Sequence, residues 1–279
     1  KVSARLGRDL SETGRIPEEA AQEALAALAR YELLVRDRGI ENIQTVATAA
    51  ARDAENGADF LDKVAAFGLE PRLLSEEEEA FASAYGVIGA FPGAEGISAD
   101  LGGGSLELVS LGKGDCREAV SLPFGTLRLP ALRMADPGLD RTIHGSLDRI
   151  AWVKAQSGPL YMIGGTWRAL AHYAMVEADY PLTDPHGFTL SVDEARQHAR
   201  ALIGASSDEL VKISGISQMR AEYLPNAAAM LLPLLDVIAP EHLVFSSWGI
   251  REGLLYSRLS GLQRALDPLL AGVHAFAEP

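Results

Sequence analysis

Apolar and polar positions repeat along the chain in a pattern typical of an α/β protein. Pro17 opens an alanine-rich stretch that ends near Arg38, with Gly39 just beyond it. This arrangement predicts a helix, because proline favours helix starts and glycine follows helix ends. The next segments predict a strand, a helix closed by Gly68 and a second strand. Their ranges are Ile40–Thr48, Ala58–Phe67 and Leu69–Leu74.

A longer helix is predicted from Glu76 to about Ala90. Ser75 and Glu78 have the spacing of a capping box, and apolar residues then recur at helical intervals. After a break at Phe91-Pro92-Gly93, short apolar runs separated by turns predict three antiparallel strands. These strands are Ile97–Asp100, Ser105–Leu111 and Arg117–Leu122.

The remainder is predicted to be mainly helical, with two strands that each lead through a turn of small residues into a helix. The strands are Leu160–Ile163 and His242–Phe245, and the turns are Gly164–Thr166 and Ser246–Gly249. Such turns commonly bind ligands, because backbone amides at a helix start lack partners. We predict a first domain over residues 1–92 and a second over residues 93–255, with a helix over residues 256–279 that packs back on the first.

Composition narrows the class of function. The 279 residues are 48% hydrophobic and 23% charged, with a net charge of −13, which argues against a nonspecific nucleic-acid or membrane-surface binder. No apolar run reaches the ~20 residues of a membrane span. The single cysteine, Cys116, fits a reducing compartment, so we expect a cytoplasmic protein. Because the chain starts with Lys1, we expect upstream residues to be missing.

The loop Gly102-Gly103-Gly104-Ser105 joins two predicted strands. An isolated glycine triplet is more often a hairpin turn, but its amides also form nests for phosphate. Here Asp100 and Glu107 flank the loop, and two carboxylates beside a phosphate nest suit Mg²⁺. The loop is therefore a candidate phosphate site with Asp100 and Glu107 as metal ligands.

Two further candidates lie upstream. In the run Glu76–Glu79, most acids are explained by the helix dipole and the capping box. Glu79 lies one position further around the helix, where it could point toward an inter-domain cleft instead of solvent and act as a general base. Arg52 follows a stretch of small residues that leaves room for a phosphate ligand, although a helix-surface arginine is the simpler reading. Other arginines that could add positive potential are Arg5, Arg8, Arg168 and Arg251.

Six segments in order resemble the exopolyphosphatase and guanosine pentaphosphatase (Ppx/GppA) family. They are Ala47–Asn56, Leu74–Ala80, Asp100–Leu108, Ser121–Leu129, Gly164–Ala171 and Trp248–Gly253. The resemblance implies a two-domain actin-like ATPase (ribonuclease H-like) fold with an active-site cleft. It also implies Glu79 as catalytic base, Arg52 facing the substrate, and Asp100 and Glu107 as ligands of Mg²⁺ and water. A homodimer is compatible with it.

The sequence departs from the family pattern at both ends. Family members begin with a hairpin that carries an Asp-x-Gly-Ser-Asn-Ser phosphate loop, which is missing here, and longer relatives continue into further helical domains. The expected activity is release of terminal phosphate from polyphosphate or guanosine pentaphosphate. The alternatives are a phosphotransferase of the same fold and a noncatalytic sensor of these molecules.

Overall fold

The described part of the chain contains both helices and strands, as the sequence predicts. This computed structural model describes residues 2, 4–136, 138–264, 266, 270, 273 and 277. The chain divides into a first unit, residues 1–79, and a second unit, residues 80–279.

The first unit contains a pair of short parallel strands with helices before and after them. Its core gathers Ile16, Ala21, Phe60, Val64 and Leu69. The side chain of Asn56 joins the backbone on both sides of Ile16, since it accepts from the Ile16 amide at 2.8 Å and donates to the Ile16 carbonyl at 3.0 Å. The elements are α1 Leu10–Thr13, α2 Glu18–Asp37, β1 Thr45–Ala47, α3 Ala49–Asp53, α4 Gly57–Ala65, β2 Pro71–Leu73 and the first turn of α5 Glu76–Ala90.

The predicted helices of this unit are confirmed, but its strands are shorter than predicted. Only three residue pairs join β1 to β2, from Thr45 opposite Pro71 to Ala47 opposite Leu73. Ile40 and Ile43, which were included in the predicted first strand, lie outside β1 and are exposed. The apolar pattern therefore extended beyond the residues that pair.

The second unit is built on a six-stranded mixed sheet with strand order β5-β4-β3-β6-β8-β7. The predicted antiparallel strands form β3 to β5, and β3, β6 and β8 run parallel. The strands are β3 Gly96–Leu101, β4 Leu106–Gly112, β5 Asp115–Leu122, β6 Leu160–Ile163, β7 Thr189–Ser191 and β8 His242–Ser246. The helices after α5 are α6 Leu129–Met134, α7 Gly138–Leu147, α8 Ala151–Ala155, α9 Gly165–Glu177, α10 Val192–Ile203, α11 Ser207–Leu210, α12 Gln218–Ile238, α13 Ile250–Tyr256 and α14 Gly261–Arg264.

The sheet has an apolar core on each face. On one face, Ala84 and Ile88 of α5 pack with Val109, Ile163 and other residues of the strands. On the other face, a larger core includes Trp167 of α9 and much of α12. Cys116 of β5 packs against the first of these cores, and burial raises the pKa of its thiol to about 12.

The division between the units lies at the first turn of α5, whereas we predicted a boundary after residue 92. From Ala80 onward the buried side of α5 packs on strands of the second unit, so the helix belongs to that unit. Of the 24 residues of the predicted helix over residues 256–279, eleven lie outside the described residues. Its described beginning contains the end of α13 and α14.

A proline-containing apolar segment at residues 230–235 is part of a core helix. It lies in α12, which contains Pro225 and Pro233. This helix has the length and composition of a membrane span, but 56% of its apolar window is buried within the protein. Met230, Leu231 and Leu234 are all completely buried in the core.

Candidate active site

Asp100 and Glu107 stand directly opposite each other at the carboxyl end of β3. In the antiparallel ladder Asp100 pairs with Glu107, and Leu101 with Leu106 at the start of the loop. Directly paired residues in an antiparallel ladder project from the same face of the sheet. The two predicted metal ligands therefore share one face, on either side of the glycine loop.

Hydroxyl groups from neighbouring elements hold both carboxylates. Ser83 of α5 donates a hydrogen bond to Oδ2 of Asp100. Ser121, which pairs with Glu107 across β4 and β5, donates to Oε1 of Glu107 at 3.2 Å. Glu107 is 4% exposed. Its carboxylate is thus fixed in a buried position, where an isolated charge would be costly without compensating partners.

In the glycine loop, the backbone carbonyls accept hydrogen bonds, and several backbone amides are available to donate to a ligand. The carbonyls of Gly102, Gly103 and Gly104 accept from the amides of residues 126, 127 and 125 respectively. The amide of Gly102 donates to the Ser105 carbonyl at 3.0 Å. Within the described residues, the amides of Gly103, Gly104 and Ser105 have no hydrogen-bond acceptor. Such a set of amides can bind an anion.

Gly125 allows the segment after β5 to approach this loop. A β-carbon at Gly125 would overlap the backbone of Gly103, Gly104 and Ser105. Only glycine can occupy this position without displacing the loop. The loop conformation therefore depends on a glycine more than twenty residues away in sequence.

Arg52 and Glu79 form an ion pair in the first unit. Nη1 of Arg52 lies 3.0 Å from Oε2 of Glu79 and donates to the Leu74 carbonyl at 3.0 Å. The side chains of Arg52 and Glu79 are only 19% and 17% exposed. Glu79 is thus largely shielded from bulk solvent and is held by Arg52.

Glu78 has the structural role that its position predicts. It accepts from the Ser75 amide at 2.8 Å, and its own amide donates to the Ser75 hydroxyl at 3.1 Å. The hydrogen bond from the Ser75 amide is the main cause that holds the pKa of Glu78 below its ordinary value. The predicted capping box is therefore confirmed.

Two arginines gather at the start of α9, and the sequence indicated only one of them. Arg168 was a candidate, whereas Arg220 of α12 was missed. The guanidinium of Arg220 lies against Gly165, where a β-carbon would approach Nε to 3.1 Å. Burial, followed by repulsion from Arg168, lowers the pKa of Arg220. Neither arginine has an acidic partner within the described residues, so an anion here would relieve their repulsion.

The other predicted cations lie at exposed positions. Arg8 contacts Asp9 and Glu19 on the surface, and Arg251 is 74% exposed beside Glu252. Arg5 is also exposed. These contacts give no indication of a shared anion site.

The turn after β6 packs closely against Asp100. Gly164 has a positive φ of 112°, and a β-carbon there would come within 3.1 Å of Oδ1 of Asp100. Gly249, in the turn after β8, would place a β-carbon 3.7 Å from Oγ of Ser83. One predicted small-residue turn therefore lies beside Asp100, and the other lies beside the Ser83 hydroxyl that donates to Asp100.

Comparison with known proteins assigns this fold and these motifs to a family. Residues 1–261 match the model of the Ppx/GppA phosphatase family, and the chain belongs to that family. The resemblance to this family, which rested on six sequence segments, is therefore confirmed.

Named relatives include a regulator and an enzyme. The chain is 29% identical to Retrograde regulation protein 2 of Saccharomyces cerevisiae over 94% of its own length, but spans only 50% of that protein. It is 26% identical to Exopolyphosphatase 1 of Mycobacterium tuberculosis, covering 93% of this chain and 79% of that protein.

Solved structures confirm the α/β fold class. A crystal structure of the Aquifex aeolicus member of the Ppx/GppA family aligns with a TM-score of 0.73 and 28% identity, covering 91% of this chain and 86% of that one. An exopolyphosphatase from Cytophaga hutchinsonii aligns with a TM-score of 0.80, covering 92% and 87% of the two chains. Its identity is 21%, so this second likeness concerns the fold alone.

Proposed function

We propose that this chain is a phosphohydrolase that releases terminal phosphate from inorganic polyphosphate or guanosine pentaphosphate. The observation that carries the proposal is the pairing of Asp100 with Glu107 around a loop whose amides at Gly103 to Ser105 are available. Carboxylates and amide donors together suit a bound phosphate with a divalent cation. Membership of the Ppx/GppA phosphatase family supports the same class of reaction.

Glu79 is proposed to position and deprotonate the attacking water. The water attacks the terminal phosphorus in line, the phosphoanhydride bond breaks, and the shortened polyphosphate or nucleotide leaves with its electron pair. The amides of the glycine loop donate hydrogen bonds to the transferring phosphoryl oxygens, as donors fixed before the reaction stabilise developing charge. Arg52 holds one oxygen of Glu79 and supplies positive charge beside it.

The proposed metal is Mg²⁺, held by Asp100 and Glu107. No cluster of three or more histidine, cysteine or acidic residues suitable for a metal occurs within the described residues. Two carboxylates are sufficient for Mg²⁺, because this ion commonly takes one or two carboxylates and completes its coordination shell with phosphate oxygens and water. When bound, such an ion supplies charge neutralisation to the phosphate oxygens.

Arg168 and Arg220 provide a second reason to expect a polyanionic substrate. The two guanidinium groups repel each other and lack acidic partners in the described structure. Further phosphates of a chain would relieve that repulsion. The two arginines would thus provide local positive charge for an anion in a protein whose net charge is −13.

The decisive experiment compares Glu79→Gln with the unchanged protein in a phosphate-release assay. Polyphosphate and guanosine pentaphosphate would be supplied separately with Mg²⁺. Because Gln cannot accept the proton, we expect kcat to fall by about 10²- to 10⁴-fold, the usual contribution of a general base. Substrate affinity, measured by equilibrium binding, should change little.

Glu77→Gln is the matched control, since Glu77 is exposed on the same helical turn. It should release phosphate at the rate of the unchanged protein. If Glu79→Gln also keeps full turnover, Glu79 is not the base and the mechanism is wrong.

A noncatalytic sensor is the second candidate function. The similarity to a relative named as a regulation protein favours it. A sensor would bind polyphosphate or guanosine pentaphosphate without releasing phosphate under any of the conditions above. A phosphotransferase would instead release little phosphate alone and form ATP when ADP is added.

A further inference from the structure

The loop before β7 holds the turn after β8 through two side chains. The imidazole Nδ1 of His186 accepts a hydrogen bond from the Ser247 amide at 3.1 Å. Oδ1 of Asp184 accepts from the Ser247 hydroxyl at 3.0 Å and from the His186 amide at 2.9 Å. Ser247 is therefore bound at both its amide and its side chain by residues about sixty positions earlier in the sequence.

Aromatic stacking fixes the plane of the His186 ring. The ring lies beside both Phe91 and Trp248, with centroid distances of 5.1 Å and 6.1 Å, and it is nearly parallel to Trp248. Trp248 belongs to the same turn as Ser247. The imidazole thus contacts this turn by a hydrogen bond and by a ring face.

The turn Ser246–Gly249 contacts two groups at the candidate site. The carbonyl of Ser247 accepts from Nη1 of Arg168 at 3.4 Å. Two residues along the chain, Gly249 packs beside Ser83, whose hydroxyl donates to Asp100. A displacement of the turn would therefore move both a cation and the support of a proposed metal ligand.

The hydrogen bond requires one protonation state of His186. A backbone amide can only donate, so Nδ1 must carry a lone pair and the ring must be neutral, with any proton on Nε2. Burial also lowers the pKa of His186, although Asp184 acts in the opposite direction. Asp184 further acts on His172 of α9, which lies near Arg168 and Arg220. Phe91 and Trp248 bring no charge to the ring.

We propose that His186, together with Asp184, is a positioning residue that holds the turn Ser246–Gly249 and, through the Ser247 carbonyl, orients Arg168 toward the anionic substrate. The link to substrate rests on the proposed function. The link to the turn rests on the contacts alone. The two parts therefore need separate measurements.

The first measurement concerns the unchanged protein and needs no substrate. ¹⁵N NMR of histidine-labelled protein at pH 7.5 should show the Nδ1 resonance of His186 as that of an unprotonated nitrogen. The resonance of His186 would be identified as the one that is absent from the spectrum of His186→Asn. A protonated Nδ1 would overturn the proposal, whatever the protein hydrolyses.

Two substitutions separate the hydrogen bond from the stacking. His186→Phe keeps an aromatic ring beside Phe91 and Trp248 but removes the acceptor, whereas His186→Asn keeps an acceptor near the position of Nδ1. We expect faster amide hydrogen exchange in the peptide containing Ser247 for His186→Phe only. Affinity for inorganic tripolyphosphate should fall about fivefold in the same variant, as expected for one lost hydrogen bond.

His144→Phe, on α7, is the control and should match the unchanged protein in both measurements. The proposal is overturned if His186→Phe also matches it, or if His186→Asn is as damaged as His186→Phe. Failure of the unchanged protein to release phosphate would contradict the proposed hydrolysis, while the exchange and tripolyphosphate measurements would still decide the role of His186.

Discussion

Glu78 and Glu79 are neighbours in α5, yet they meet different surroundings. The carboxylate of Glu78 caps its own helix and pairs with Arg72 at 2.8 Å, with almost half of the side chain exposed. Glu79 points to Arg52 and is only 17% exposed. One step of about 100° around a helix thus separates a capping acid from a candidate base.

The sequence was sufficient to place Asp100 and Glu107 on either side of the glycine loop, because a short loop between two strands brings the strand ends together. Ser83 and Arg220 were missed for a physical reason. Ser83 meets Asp100 only because α5 packs on the sheet, and Arg220 meets Gly165 only because α12 packs near the start of α9. Local patterns carry no information about such packing. The catalytic roles themselves remain predictions.

Ser83→Ala tests the support of Asp100. The change removes the hydroxyl that donates to Oδ2 of Asp100, leaving the carboxylate less well oriented. Loss of such a partner typically weakens metal binding by about 10- to 100-fold. We expect the Mg²⁺ concentration for half-maximal phosphate release to rise accordingly.

Ser207→Ala on α11 is the control for this experiment, and its Mg²⁺ dependence should be unchanged. If Ser83→Ala shows the same Mg²⁺ dependence as the control, the hydroxyl does not support a metal ligand. A loss of folding would be recognised from the circular dichroism spectrum.

At the scale of elements, α5 and α13 approach each other through glycines. A β-carbon at Gly253 would overlap the carbonyl of Ala82 and approach the amide of Gly86 to 2.6 Å. A β-carbon at Gly86 would overlap the carbonyl of Gly249 in turn. The close contact allows the turn before α13 to reach Ser83.

Gly253→Ala should therefore destabilise the second unit. The added methyl group cannot be accommodated without separating the two helices, and overpacking of this kind costs about 2 kcal/mol. Urea denaturation followed by circular dichroism would measure the free energy of unfolding.

Gly145→Ala is a matched control within α7, where a β-carbon meets no atom within 4 Å. Alanine is a better helix former than glycine, so this variant should be at least as stable as the unchanged protein. Equal stability of the two variants would show that α5 and α13 are not packed as closely as described.

Element prediction succeeded where the pattern was long and failed where it was short. The predicted bounds of α5 agree with those observed, because a capping box marks its start and the Phe91-Pro92-Gly93 break marks its end. The strand β7 was not predicted. It has three residues, lies at the sheet edge and alternates only once in burial. Such a strand forms because β8 is already present to pair with it.

Over the whole molecule, burial of histidines makes stability depend on pH. Burial is the main cause that lowers the pKa of His172, His186 and His198 below the ordinary value of 6.5. Just below pH 6.5 the unfolded chain takes up more protons at these positions than the folded protein does. The free energy of unfolding should therefore fall as the pH decreases from about 6.5, and level off below the folded-state pKa values.

Urea denaturation at several pH values between 7.5 and 5 would measure this decrease. His198→Phe removes one of the three groups and should make the decrease shallower. Carboxylates with lowered pKa values, such as Asp184, add a separate loss only at more acidic pH. Stability that rises on acidification through pH 6 would contradict the burial of these histidines.

The thiol of Cys116 has a practical consequence for experiments on this protein. With a pKa of about 12 it is almost entirely protonated at neutral pH. An exposed cysteine introduced elsewhere, with a pKa near ~8.5, would form roughly a thousand times more of the reactive thiolate. Maleimide dyes would therefore attach to chosen surface sites without prior removal of the native cysteine. Energy transfer between two such dyes would then report the distance between the chosen sites in solution.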